Sequence, residues 1–92
     1  MHYRFLVWDE ARNEIRLLGY TLHLSPSERQ IIEILFLREF VTVDEFHRFS
    51  KPTLPKSSIP VHICSINKKA FAISGRKLIG FEKDYYRFIA AM

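Results

Sequence analysis

Positive charge is concentrated in one part of this 92-residue chain. Residues 46–81 contain seven of the fourteen Lys and Arg residues and none of the ten Asp and Glu residues. A local field of one sign attracts a polyanion more effectively than a net charge does, and phosphate groups are the usual partner of such a segment. Solvation explains many single lysines, but the unbroken absence of acids favours a phosphate-binding face.

The residue types that perform catalysis or hold a metal are not arranged for either task. His2, His23, His47 and His62 are scattered, and Cys64 is the single cysteine, whereas zinc sites need such ligands at short spacings. No glycine-rich phosphate loop or serine elbow is present, and the carboxylates are explained as helix caps or surface groups. The sequence therefore predicts no enzyme, no metal, no cofactor and no small-molecule substrate.

Length and composition indicate one globular domain spanning residues 1–92. Hydrophobic residues make up 48% of the chain and charged residues 26%, the proportions of an ordinary folded domain. A single cysteine, with no leader and no apolar run long enough to span a membrane, predicts a cytoplasmic protein without a membrane partner.

Short runs of aromatic and branched residues predict a small antiparallel sheet in residues 1–24. The expected strands are residues 3–8, 14–18 and 20–24, with a polar turn after the first strand and Gly19 in the turn before the third.

Two capping boxes then mark the start of two helices. Ser25 is followed by Pro26 and by Glu28 three residues after the cap, and Thr42 is followed by Glu45 at the same spacing. The second helix is expected to end near Phe49, before a proline-containing loop at residues 50–57.

Apolar residues at steps of four and three predict a third helix over residues 58–72, with Ser57 or Ser58 as its cap. Its inward stripe consists of Ile59, Ile63, Ile66, Ala70 and Ile73. The same periodicity turns Val61, Cys64, Ser65, Lys68 and Ala72 outward, with Asn67 and Lys69 on the flanks.

Two apolar runs around a charged turn predict a β-hairpin at residues 76–89. The expected architecture is α+β: an N-terminal sheet at 1–24, a three-helix core at 25–73, and the hairpin. Three helices followed by a hairpin are the outline of a winged helix-turn-helix, in which the third helix enters the major groove of DNA and the hairpin, or wing, reaches the backbone.

Four segments, in order, resemble the OmpR/PhoB-type winged-helix effector domain of bacterial response regulators, an outline shared by ToxR/CadC-like regulators. Residues 24–28 with Ile31, Ile32 and Leu35 resemble L-T-x-x-E-x-x-L-L-x-x-L, and residues 41–46 resemble v-S-R-e-x-L. Residues 61–69 resemble V-H-I-x-R-L-R-x-K, and residues 79–88 resemble I-x-T-V-R-G-x-G-Y-R-F with small changes in spacing.

This resemblance implies duplex DNA binding by a two-component transcription regulator, usually as a tandem dimer and hence with a weak homodimer contact. It also implies that RNA polymerase contacts the 50–57 loop, represented here by Lys51, Leu54 and Lys56. The DNA-contact positions expected from the match and from the charge pattern are Ser58, His62, Ser65, Asn67, Lys68, Lys69, Lys77, Lys83 and Arg87.

The chain departs from the family pattern at positions that touch DNA. The two recognition-helix arginines fall on Ser65 and Asn67, and the T-V-R-G of the wing falls on residues 80–83, where Glu82 opposes phosphate. A second hypothesis follows: a degenerate winged helix that serves as a protein-interaction or dimerisation module through exposed Val61, Cys64 and Phe71 or through the proline loop.

Overall fold

A computed structural model describes residues 2–3, 6–9 and 11–89. Its N-terminal part is a four-stranded antiparallel sheet in the order β1 (His2–Tyr3), β2 (Leu6–Asp9), β3 (Glu14–Leu17) and β4 (Tyr20–Thr21). The strand predicted over 3–8 is thus two short strands that pair with each other, with Tyr3 opposite Leu6; residues 4 and 5 of the prediction lie outside the described residues. The third predicted strand is shorter than expected, since β4 ends at Thr21.

Both predicted capping boxes are present. Helix α1 (Pro26–Arg38) begins after Ser25, whose hydroxyl accepts from the Glu28 N–H while the Glu28 carboxylate accepts from the Ser25 N–H. Helix α2 (Val43–Phe49) begins in the same way, with Thr42 and Glu45 bonded reciprocally. These bonds satisfy backbone donors that have no partner inside the helix.

Helix α3 (Ile59–Ser74) buries four of the five residues of the predicted stripe, Ile59, Ile63, Ile66 and Ala70, and Ile73 is half-buried against the same core. The helix starts one residue later and ends two residues later than expected, and its C-cap is Gly75, which has the left-handed conformation that glycine adopts without steric penalty. Ser58 occupies the predicted N-cap position, but its hydroxyl does not cap the helix: a 3₁₀ turn (Lys56–Ser58) precedes α3, and this hydroxyl donates to the Pro55 carbonyl at 2.7 Å.

The C-terminal hairpin consists of β6 (Ile79–Glu82) and β7 (Tyr85–Phe88) joined by the turn at Lys83 and Asp84. A strand that the sequence did not predict, β5 (Val41–Thr42), pairs with β7. The sheet order is β5-β7-β6, so β6 is an outer strand.

One continuous core joins the helices to both sheets. Its largest fully buried side chains include Phe46 of α2, Ile31 of α1, Ile66 of α3, Leu17 of the N-terminal sheet and Phe88 of the wing. Packing against this core fixes α3 relative to the hairpin. Among the described residues, no helix is both long enough and apolar enough to cross a lipid bilayer.

Candidate nucleic-acid interface

The exposed side of α3 and the wing enclose an open groove of about 700 Å³. Its apolar lining includes Pro60 and Phe71 from α3 and Phe81 from β6. Phe71 is 59% exposed and Phe81 61%, which are large exposures for aromatic side chains. Lys68 and Lys77 line the same groove, and no carboxylate does among the described residues. The groove therefore combines an apolar floor with positive charge.

The groove keeps its shape because Asn67 ties α3 to the wing. Its side-chain Oδ1 accepts from the N–H groups of Leu78 at 3.0 Å and Ile79 at 2.8 Å, and its Nδ2 donates to the Ile79 carbonyl at 2.9 Å. The amide thus bonds Ile79 as a neighbouring strand would, and it covers the start of the outer edge of β6. Asn67 was expected at the DNA-contact face, but its amide is engaged within the protein.

Lys69 is also engaged within the protein. Its ammonium group lies 2.6 Å from Oε1 of Glu28 and donates to the His23 carbonyl at 2.8 Å. Glu28 is only 3% exposed, and Ser65 also interacts with its carboxylate. Burial on its own raises the pKa of Glu28, but the hydrogen bonds from Lys69 and the Ser25 N–H, together with the interaction with Ser65, more than offset it and lower the pKa from 4.5 to about 2. Two predicted contact positions, Ser65 and Lys69, thus stabilise a buried carboxylate that starts α1.

Three of the predicted cations remain available. Lys68 on α3, Lys77 before β6 and Lys83 at the wing turn are exposed, and none forms an ion pair with a residue that the structure describes. An exposed ammonium group on a flexible stem can neutralise a phosphate as a point charge.

The wing carries two carboxylates, of which Asp84 is exposed at the turn and Glu82 is partly neutralised by its own strand pair. Glu82 Oε2 lies 3.4 Å from Nη1 of Arg87 and accepts from the Tyr85 hydroxyl at 3.2 Å. This pairing reduces the repulsion that Glu82 exerts on phosphate, and it also occupies Arg87, another predicted contact. All three side chains lie near the solvent, so the pair is weak and screened by salt.

The remaining predicted residues lie at the start of α3 and in the loop before it. Ser58 is bonded to Pro55, and His62 is half-buried beside the inward stripe. In the loop, Leu54 is buried and its N–H donates to the Ser50 hydroxyl at 2.8 Å, whereas Lys51 is exposed. Lys56 is exposed and lies 2.9 Å from the Asp44 carboxylate, which lowers the pKa of Asp44. Of the three residues predicted as partner contacts in this loop, only the two lysines therefore face the solvent.

Two residues of the groove, Pro60 and Phe81, were not among the functional residues predicted from the sequence. Phe81 follows buried Ile79 on the same face of β6, because side chains two residues apart point the same way. The alternation of side chains along a strand therefore predicts that both Ile79 and Phe81 are buried. Phe81 is exposed because α3 covers the start of β6 and leaves its end open.

The order of the elements along the chain defines the fold. An N-terminal sheet precedes three helices, and a C-terminal hairpin packs against the third helix. This arrangement is a winged helix, as predicted. No protein-family model matches the chain, and no curated protein matches it in sequence.

Among solved structures, the chain is similar to the DNA-binding domain of the response regulator AdeR, which was crystallised in complex with an intercistronic region. The likeness covers 96% of this chain and 97% of the other, with a TM-score of 0.74 and 19% sequence identity. It confirms the winged-helix fold and the suspected structural resemblance to response-regulator effector domains.

Proposed function

We propose that this chain is the DNA-binding domain of a bacterial transcription regulator acting in the cytoplasm. The observation that carries the proposal is the set of three lysines without an ion-pair partner among the described residues, Lys68, Lys77 and Lys83, which extends from α3 to the tip of the wing. In this arrangement α3 enters the major groove and the wing lies against the flanking phosphates. The AdeR domain, similar in fold, was crystallised with DNA, which supports the same use of the fold here.

The proposed contacts differ from those expected from the sequence. Lys68 and Lys77, both expected from the sequence, remain as the central polar contacts, whereas Lys69 and Asn67 drop out because they are held by Glu28 and by β6. Lys83 and the partly neutralised Arg87 contact phosphate from the wing. Ser58 and His62 lie near enough to the start of α3 to add weaker phosphate contacts. RNA polymerase would meet the exposed Lys51 and Lys56 of the loop.

Removing two of these lysines tests the phosphate contacts. The Lys68→Ala/Lys77→Ala variant should bind every duplex more weakly, and the slope of log K against log salt should fall by about two, because two phosphates are no longer neutralised by the protein. The measurement is fluorescence anisotropy with a random-sequence duplex at several salt concentrations.

Arg12→Ala/Lys51→Ala is the matched control, because it removes the same charge from exposed positions in the N-terminal turn and the loop. The control should change the salt slope by much less. Equal effects of the two double variants would show that only net charge matters and would contradict a phosphate-binding surface on α3 and the wing.

The single cysteine provides an independent test of which face meets DNA. Cys64 is exposed and lines the groove. Alkylation of its thiol by a maleimide should slow at least severalfold when a duplex is bound, because a helix inside the major groove is covered by the bases. Mass spectrometry over time follows the reaction. An unchanged rate at saturating duplex would exclude docking through this side of α3.

A second candidate function is a protein-interaction module, and the apolar groove favours it. Val61 is 66% exposed, and together with Phe71 and Phe81 it places three large apolar side chains on the face that should meet phosphate. The absence of carboxylates from the described lining suits a partner segment with an apolar anchor and acidic flanks. If no duplex binds even at low salt, this second function is the one to pursue.

A further inference from the structure

The N-terminal half of α3 presents an apolar surface to the solvent. Pro60, Val61 and Cys64 are all exposed and, with Ser65 and Lys68, line one shallow depression on the outer side of the helix. Val61, Cys64 and Lys68 lie three and four residues apart, so they form one stripe along the helix. The stripe is apolar near the start of α3 and becomes cationic one turn later.

Arginine, the side chain best suited to reading guanine, is absent from this helix. Residues 59–74 contain no arginine, and Ser65 interacts with the Glu28 carboxylate. Asn67, the residue type that pairs with adenine, gives its amide to Leu78 and Ile79. Of the polar side chains in the middle of α3, Ser65, Asn67 and Lys69 therefore interact within the protein, whereas Lys68 is exposed.

The major groove offers one apolar feature to such a surface. Each base pair presents hydrogen-bonding groups there, but only thymine adds a methyl group, at C5. In helix-turn-helix proteins the N-terminal residues of the recognition helix contact the base edges, and Val61 and Cys64 occupy this half of α3. An exposed valine in this position can exclude water from a thymine methyl, whereas it would leave the polar edges of G·C pairs without partners.

We infer that α3 selects thymine-containing half-sites, with Val61 and Cys64 contacting thymine C5 methyl groups and Lys68 holding a neighbouring phosphate. This inference rests on the proposed DNA-binding function and specifies what that surface reads. The preference for thymine-containing pairs over G·C pairs comes from the burial of thymine methyl groups and from the penalty of covering the polar edges of G·C pairs with apolar side chains.

Deoxyuridine provides a direct test, since it pairs with adenine like thymidine but lacks the methyl group. Duplexes are first enriched from a random pool at low salt, and each thymine of the enriched half-site is then replaced by deoxyuridine in turn. Loss of one buried methyl should weaken binding roughly fourfold at the contacted positions and should have little effect elsewhere.

Protein variants assign the contact to its side chain. Val61→Ala should weaken binding to the thymine duplex. It should also abolish the deoxyuridine effect at one position, because the thymine methyl group at that position no longer contacts the valine side chain. Leu37→Ala is the matched control, since it truncates a 72% exposed apolar residue on α1 and should leave the deoxyuridine effect intact.

The outcomes separate the two proposals. A protein that binds duplexes in a salt-dependent manner but shows no enrichment, or no response to deoxyuridine, would overturn thymine reading and leave DNA binding in place. A deoxyuridine effect that persists fully in both Val61→Ala and Cys64→Ala would overturn the assignment to these residues. A protein that binds no duplex at low salt would overturn the DNA-binding function itself.

Discussion

Replacing Glu28 with glutamine is expected to lower the free energy of unfolding by about 3 kcal/mol at pH 7, because it breaks a buried ion pair and leaves the Lys69 ammonium without its carboxylate. Glutamine has nearly the same shape, so packing around the start of α1 should be preserved. The measurement is urea denaturation followed by circular dichroism. An unfolding free energy equal to that of the unsubstituted protein would show that the Glu28–Lys69 pair adds nothing to stability.

The same residue makes stability dependent on acid. The pKa of Glu28 is about 2 in the folded protein and has its ordinary value of 4.5 when the chain is unfolded, so the unfolded chain binds more protons between these values. The stabilisation by Glu28 is complete above pH 4.5 and is lost as the pH falls toward 2. The difference in unfolding free energy between the unsubstituted protein and Glu28→Gln should therefore shrink over this range.

Lys69→Met serves as the control for this acid dependence. It keeps most of the length of the side chain but leaves the Glu28 carboxylate buried without its charged partner. The pKa of Glu28 should then rise, and the loss of stability should begin at a higher pH than in the unsubstituted protein. An identical pH profile for the two proteins would mean that Lys69 does not lower this pKa.

Replacing Asn67 with leucine is the second change with a large expected effect. It removes three hydrogen bonds to the backbone of Leu78 and Ile79, both of which are buried residues. Since a buried backbone group left without a partner costs about 1–3 kcal/mol, we expect a total loss of about 3 kcal/mol after partial rearrangement of the hairpin. Hydrogen exchange should show reduced protection of the Leu78 and Ile79 amides in particular.

The adjacent residue offers a matched control. Lys68→Leu introduces the same side chain one position further along α3, where the lysine is exposed, and it should change stability by less than about 0.5 kcal/mol. Asn67→Asp retains an oxygen that can accept from both N–H groups, so those amides should stay better protected than in Asn67→Leu. Equal protection in the two Asn67 variants would contradict the role assigned to the side-chain oxygen.

The features that the sequence predicted correctly depend on neighbours in the chain. The capping boxes at Ser25 and Thr42 join residues three positions apart, and the isoleucine stripe of α3 follows from helix periodicity alone. The terminal hairpin is marked by two apolar runs around a charged turn. In each case the interacting residues lie within a short window of the sequence, so the sequence pattern itself contains the interactions that form the element.

The features that the sequence did not predict depend on residues far apart. Lys69 meets Glu28 across 41 residues, and Asn67 meets the start of β6 across 11 or 12 residues. Periodicity placed both side chains on the flanks of α3 but contains no information about what faces those flanks. Strand β5 was missed because two residues are too few to form an alternating pattern, and the pairing depends on β7.

The hydrogen bonds between Asn67 and Ile79 also bear on how the protein resists self-association through its sheet. An outer strand with open backbone groups is a template for strands from other molecules, and β6 carries exposed Phe81 beside that edge. By occupying the N–H and C=O of Ile79, the Asn67 amide shortens the open edge that a second chain could use to extend the sheet. A side chain that joins a helix to the wing thus also protects the protein against edge-to-edge aggregation.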